Sequence, residues 1–220
     1  MSFLIILLGL LLGSFLNICI YKILLRETIT YQHSFGIFLQ YPVVEILTSC
    51  TFFFIYKKYG LSILSIKYMI LAATSIVVGF IDFFTMDIYY ITILPGFITG
   101  VLFLLFYDRV DAFDSIIGFA IGYSVIWLID KLGQMLLGKK SMGEGDALFL
   151  SIIGLLLGIR LLVVALFIAF ISGGIISAYI LIFKSKSKHD YIPFAPFLGF
   201  GAYFAVVLGD LLIKQYFTLF

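Results

Sequence analysis

The feature that most constrains this chain is a series of apolar runs that approach or exceed the roughly 20 residues a helix needs to cross a bilayer. Short polar breaks separate the runs, which favours a helical bundle rather than a β-barrel. The 220 residues are 63% hydrophobic and 12% charged, and the mean hydropathy is +1.21. These values exclude an ordinary soluble domain. We therefore predict an all-α, polytopic integral membrane protein.

Hydropathy predicts about eight transmembrane helices in a single membrane-embedded domain that covers residues 1–220. The second and sixth of these helices are short for full spans. The predicted limits are 3–25, 43–56, 68–83, 88–106, 113–137, 147–158, 161–183 and 193–212.

Two acidic residues stand out in this apolar sequence. Asp82 interrupts an apolar run, and Asp146 closes the loop Gly143-Glu144-Gly145-Asp146. An ionisable group at membrane depth costs several kcal/mol unless a site compensates it, so both acids are functional candidates. Two predicted helices separate them, which puts both at the same membrane face. We expect the glycines to permit a tight turn and close substrate approach, and Asp146 to open the sixth helix.

Taken singly, Asp82 could be an interfacial residue and Asp146 a helix cap, but as a pair they predict aspartyl peptidase chemistry. Two carboxylates within a few Å do not both ionise readily. One can then deprotonate a water while the other protonates the leaving amine. The only histidines, His33 and His189, fall in predicted loops, so no Ser-His-Asp set competes.

Four motifs in order resemble the type IV prepilin peptidase family, the membrane aspartyl leader peptidases of pilus assembly and type II secretion. Residues 13–21 are similar to the family's opening G-S-F-L-N-V-x-I-Y, and residues 41–45 to its Y-P-x-x-E. Residues 143–146 match its G-x-G-D, and residues 192–201 resemble its I-P-F-G-P-F-L segment. The resemblance therefore extends nearly from end to end.

This resemblance implies that Asp82 and Asp146 are the catalytic pair of an aspartic endopeptidase. Its substrates would be prepilins or pseudopilins, cut after a glycine that follows a basic leader, and proteolysis would need no cofactor. Gly143, Glu144 and Gly145 would form the active-site loop, with Glu144 at the variable, solvent-facing position. Asp87 is expected to lie in the interfacial loop.

The family's second activity is methylation of the new N-terminus with S-adenosylmethionine. Glu45 matches a glutamate linked to that activity, and its alternative role is a polar anchor at a helix start. Whether methylation is retained stays open.

No metal is expected, and this chain departs from the family pattern in two places. The segment 26–41 is a shortened cytoplasmic loop that lacks the zinc-binding cysteines of many relatives, while Cys19 and Cys50 lie apart in apolar sequence. The family's I-P-D after the first aspartate reads Ile88-Tyr89-Tyr90.

Loop charges favour a cytoplasmic location for the two acids, with the clearest contribution from Lys184, Lys186 and Lys188. We therefore predict a multi-pass protein of the cell inner (plasma) membrane with its active site facing the cytoplasm. Membrane lipid and prepilin or pseudopilin substrates are the expected partners. A net charge of +2 gives no nucleic-acid footprint, and the sequence does not determine the oligomeric state.

Three alternatives compete with the prepilin peptidase. A proton-coupled transporter could use Asp82 and Asp146 as a relay, which would place both acids near the membrane midplane within an internal repeat. A presenilin-like protease shares G-x-G-D but has tyrosine before its first aspartate, where this chain has Ile81. A non-catalytic scaffold would have no need of both acids.

Overall fold

The computed structural model describes residues 1–27, 34–107, 109–138, 142–183 and 192–219. Five of the helices in this part of the chain are long and apolar enough to cross a membrane, and a sixth is apolar but shorter. The predicted all-α, polytopic fold is confirmed. His33, His189 and the lysines at 184, 186 and 188 lie outside the described residues. The helical segments are α1 (Ser2–Glu27), α2 (Ser34–Tyr59), α3 (Ile63–Thr85), α4 (Tyr90–Phe106), α5 (Arg109–Leu137), α6 (Glu144–Phe183) and α7 (Ala195–Leu219).

The chain reverses direction inside α6. Gly158 has φ 73° and ψ 173°, a conformation that residues other than glycine avoid. We call residues 144–157 α6a and residues 159–183 α6b. The backbone N–H of Ile159, just past the reversal, donates to Asp114 Oδ1 at 3.3 Å. The Asp114 carboxylate of α5 therefore stabilises the chain reversal.

Contacts along α7 give the direction of α6b. Leu161, at the start of α6b, packs where Gly209 lies far along α7, whereas the ring of Phe170 lies 5.4 Å from the ring of Phe194, just before α7 begins. The helix α6b thus runs antiparallel to α7 and back along the bundle. The predicted sixth and seventh helices therefore correspond to α6a and α6b. With α6 counted as two helices, the described residues form eight helices, the number that hydropathy predicts.

Glycines bring α5 and α6a into backbone contact. A Cβ atom at Gly118 would collide with the carbonyl oxygen of Gly154, and a Cβ at Gly154 would collide with that of Gly118. One turn further along α5, a Cβ at Gly122 would approach the Leu150 carbonyl oxygen to 2.6 Å. Small residues allow such close approach between membrane helices. The helix that carries Asp146 is consequently in backbone contact with α5.

A polar cluster joins α2 to α7 at the end of the bundle opposite the two acids. Lys58 Nζ lies 2.7 Å from Asp210 Oδ2 and donates to the Val206 carbonyl oxygen at 2.8 Å. The Tyr59 hydroxyl donates to the same oxygen at 3.0 Å. The α1–α2 pair is thereby tied to the rest of the bundle away from the candidate site.

The helices extend beyond the predicted spans at several ends. The second predicted helix began at residue 43, but α2 begins at Ser34 and carries Pro42 inside it. Likewise α3 begins at Ile63 rather than at residue 68. The predicted loop 26–41 overlaps both neighbouring helices, because α1 runs through Glu27 and α2 starts at Ser34. Both limits of the predicted loop were therefore wrong. Hydropathy detects the lipid-facing part of a helix, whereas helical hydrogen bonding continues into polar turns.

Candidate active site

Asp82 lies in the last turn of α3 and is held by the start of α7. Its helix ends because Met86 adopts φ 57° and donates its backbone N–H to the Asp82 carbonyl oxygen at 2.8 Å. The Asp82 side chain is 5% exposed, and its Oδ2 accepts the N–H of Ala195 at 3.0 Å. The Phe194 backbone supplies a second hydrogen bond. Free N–H groups and the helix dipole at an N-terminus suit a carboxylate.

Asp146 lies in the first turn of α6a and uses one oxygen to hold its own loop. Its Oδ2 accepts the backbone N–H of Gly143 at 3.2 Å, which is how an acid at the third helical position satisfies the N-cap N–H. Its Oδ1 is buried and has no hydrogen-bond partner. The helix starts at Glu144 rather than at Asp146. One carboxylate oxygen is therefore structural, and the other is available.

The structure brings the two acids to the same end of the bundle, which we call the site end. The charge of Asp146 acts on Asp82, and Asp87 contributes a smaller effect. The loop that follows α3 also touches the G-x-G-D loop, because a Cβ atom at Gly145 would lie 2.8 Å from Ile88 Cβ. Two segments distant in sequence thus meet around the carboxylates.

The two glycines of the loop differ in their surroundings. Neither Gly143 nor Gly145 has a positive φ, so neither position requires glycine for its backbone conformation. Gly145 is required because Ile88 packs against it. A Cβ at Gly143 would meet only Asp146 Oδ2 at 3.5 Å and the Gly145 nitrogen at 3.9 Å, which are ordinary contacts.

Two further acids border the pair without joining it. Asp87 is exposed and lies in the loop between α3 and α4, where its backbone N–H donates to Thr85 Oγ1 at 3.3 Å. Glu144 is exposed at the first position of α6. Both side chains are accessible to an incoming peptide.

Glu45 lies within α2, away from its ends. Its Oε1 accepts the Ser14 hydroxyl at 2.6 Å, and Gly13 allows α1 to approach closely, since a Cβ there would lie 2.6 Å from Glu45 Cα. The alternative role as an anchor at a helix start was therefore wrong. The first two sequence motifs meet at this α1–α2 contact.

A cavity of about 540 Å³ lies beside α1. It is lined mostly by apolar side chains of α1, α3 and α4 together with Phe52 of α2, and neither Ser14 nor Glu45 contributes to it. Within the described ranges, no group of three His, Cys, Asp or Glu side chains could hold a metal ion.

Two participants at the site end were missed from the sequence. The backbone of Ala195 holds Asp82, which no side-chain pattern could indicate. Asp130 of α5 accepts the backbone N–H of Met142 at 3.3 Å through Oδ1 and the amide of Gln134 at 2.6 Å through Oδ2. An acid within a predicted membrane helix satisfies the rule that singled out Asp82, so Asp130 could have been identified.

A polytopic helical bundle with two interacting aspartates at one end is the arrangement expected of a membrane-embedded aspartyl peptidase. The model of the type IV leader peptidase family matches residues 69–178, which is half of the chain and includes both acids. The chain belongs to this family.

Curated relatives match most of the chain. Three of them are named prepilin leader peptidase/N-methyltransferase. The protein from Pseudomonas putida is 26% identical over 171 residues, which is 78% of this chain and 59% of the relative. That from Aeromonas hydrophila is 28% identical over 181 residues, 82% of this chain and 62% of the relative. That from Neisseria gonorrhoeae is 30% identical over 172 residues, 78% of this chain and 59% of the relative.

The matched part of this chain thus spans about three fifths of the length of these relatives. No solved structure matches the chain.

Proposed function

We propose that this chain is an aspartic endopeptidase that removes the leader peptide of type IV prepilins or pseudopilins, with Asp82 and Asp146 as its catalytic pair in a single peptidase domain. The observation that carries the proposal is the position of the two carboxylates at one end of the bundle, where the loop after α3 packs against the G-x-G-D loop. Asp82 is held there by the start of α7 and Asp146 by its own loop. The relatives' names support the choice of substrate.

The two anchors leave the acids suited to act on a water and a peptide carbonyl. Asp82 is bound by N–H groups at the α7 N-terminus, and Asp146 Oδ1 has no partner within the protein. One carboxylate deprotonates the attacking water, and the protonated one polarises the carbonyl and then protonates the leaving amine. General acid–base steps of this kind contribute about 10²–10⁴-fold in rate.

The membrane geometry matches a substrate with an apolar helix and a polar leader. The helix of the substrate would lie in lipid, and its leader would emerge at the site end, which we assign to the cytoplasmic side of the inner membrane. Exposed Asp87 and Glu144 border the pair and favour a basic leader. Their contribution is small, because exposed ion pairs are worth about 0–1 kcal/mol.

The proposed function is tested by cleavage of a prepilin-like peptide in nanodiscs. The substrate carries a lysine-rich leader, a glycine and an apolar helix that begins with phenylalanine, and mass spectrometry identifies the products. We expect wild type to cut once, after the glycine, and the folded double variant Asp82→Asn/Asp146→Asn to leave the peptide intact. Cleavage by the double variant would remove both acids from catalysis. Proton flux in liposomes without cleavage by wild type would favour the transporter.

N-methylation of the product is a second candidate activity, because the relatives' name includes it and Glu45 is an intramembrane acid held by Ser14. Transfer of a labelled methyl group from S-adenosylmethionine to the cleaved product tests it. The comparison is between wild type and Glu45→Gln. Equal transfer by both proteins would exclude Glu45 from this activity.

Gly145→Ala is expected to slow cleavage about tenfold or more, since misplacement by about 1 Å can cost up to 10²-fold. The new methyl group would push Ile88 away from the loop and so shift Asp146 relative to Asp82. The measurement is kcat in nanodiscs. Gly143→Ala is the matched control, and because its Cβ meets only ordinary contacts, it should cleave like wild type. Equal rates in the two variants would contradict this role of the Ile88 contact.

A further inference from the structure

Two carboxylates of α5 bind backbone N–H groups just outside the two ends of α6a. Asp114 Oδ1 accepts the N–H of Ile159 at 3.3 Å, beyond the reversal. Asp130 Oδ1 accepts the N–H of Met142 at 3.3 Å, before the helix begins. The helix that carries Asp146 is thus bonded to α5 at both of its ends.

Between these two bonds, α5 and α6a are in backbone contact. Gly118 and Gly154 leave no room for a side chain on either helix, and Gly122 approaches the Leu150 carbonyl oxygen. Such a contact has few alternative registers, because any shift along the axis would bring larger residues into the gap. This contact does not fix the backbone at Met142 and Gly143, which lie just before α6a begins.

We infer that Asp130 is a positioning residue of the active site, which fixes the backbone at Met142 and Gly143 and thereby the orientation of Asp146. This inference rests on the proposed peptidase function. The link is short. Asp130 holds the N–H of Met142, and the next N–H along the chain, that of Gly143, holds Asp146 Oδ2. With Oδ2 engaged in this way, Asp146 turns its free Oδ1 to the reacting atoms.

The loop has a second anchor, so loss of Asp130 should loosen the site without unfolding the chain. The Met142 side chain is partly buried and packs against the main hydrophobic core. Asp130 itself is only partly buried. A variant at this position should therefore fold and insert but hold Asp146 less accurately.

The experiment compares three variants of the full chain in nanodiscs with the prepilin-like peptide. Asp130→Leu removes the acceptor, and Asp130→Asn keeps an oxygen that can accept the Met142 N–H. Gln134→Leu removes the side-chain amide that donates to Asp130 Oδ2 and leaves the Met142 bond in place. We expect Asp130→Leu to lower kcat about tenfold or more through misplacement of Asp146, with KM within about twofold of wild type. Asp130→Asn should recover most of the loss, and Gln134→Leu should cleave like wild type.

Hydrogen exchange supplies a readout that does not depend on activity. In Asp130→Leu the Met142 amide should exchange about tenfold faster than in wild type, as expected for a local opening, while amides in α3 stay unchanged. The inference is overturned if Asp130→Leu keeps the wild-type kcat, or if Asp130→Asn loses as much activity as Asp130→Leu. Faster exchange together with an inactive wild type would refute the peptidase proposal and leave the contact itself established.

Discussion

Asparagine at either Asp82 or Asp146 should reduce leader cleavage by about 10³-fold, within the range that a general acid or base contributes. An amide can neither take a proton from water nor deliver one to the leaving amine. Both variants should fold, because the amide oxygen can still accept the N–H of Ala195 in one case and of Gly143 in the other. Single-turnover cleavage in nanodiscs measures the effect, and thermal unfolding checks the fold.

Asp87→Asn is the matched control for these variants. It removes one negative charge just beyond the end of α3, and Asp87 acts on Asp82 electrostatically. The Asp87 side chain, however, is exposed and lies outside the pair. We expect its rate to stay within about threefold of wild type, as for a weakly coupled surface charge. If the cleavage rate of Asp87→Asn fell as far as that of Asp82→Asn, the catalytic pair would have to be reassigned.

The two acids should also act as one unit. Residues that work together in a single step show strongly non-additive effects, so the double variant should be no slower than about the slower single variant. If the rate loss of the double variant instead equalled the product of the two single losses, Asp82 and Asp146 would serve separate steps. The same single-turnover assay distinguishes the two outcomes.

Gly158→Ala is expected to give the largest loss of stability. The φ of 73° with ψ of 173° costs about 1–3 kcal/mol for a residue with a side chain. In addition, the new Cβ would overlap the Asp114 carboxylate, which holds the N–H of Ile159. We therefore expect Gly158→Ala to lower the free energy of unfolding by more than about 3 kcal/mol. The measurements are the yield of folded protein and its thermal unfolding in detergent.

Gly174→Ala is the control within the same segment of the chain. A Cβ at Gly174 would meet nothing within 4 Å, so its effect should stay within about 0.5 kcal/mol. If Gly158→Ala unfolded at the wild-type temperature, the reversal in α6 would not require glycine, and α6a and α6b would be joined differently.

The sequence was sufficient for the class of fold and for the two acids of the candidate site. Apolar runs reveal spans because the bilayer demands them, and the number of crossings between Asp82 and Asp146 predicted a common face. The ends of the helices were harder to predict from the sequence. The first turns of α2, from Ser34 onward, contain Gly36 and Pro42, which lower the helix propensity of that segment.

Contacts made by the backbone could not be predicted. The N–H of Ala195 that binds Asp82 and the Ile88 contact that requires Gly145 depend on the relative placement of distant helices. Asp130 is a different case. It is an acid within the predicted fifth helix, and the rule that selected Asp82 applied to it equally.

The bond between Ala195 and Asp82 has a consequence for biosynthesis. A ribosome delivers α3 and α6a to the membrane well before α7, so a growing chain has both carboxylates but lacks the N–H groups that hold the first of them. The proposed catalytic pair is therefore held as in the finished protein only once the seventh helical segment has entered the bundle.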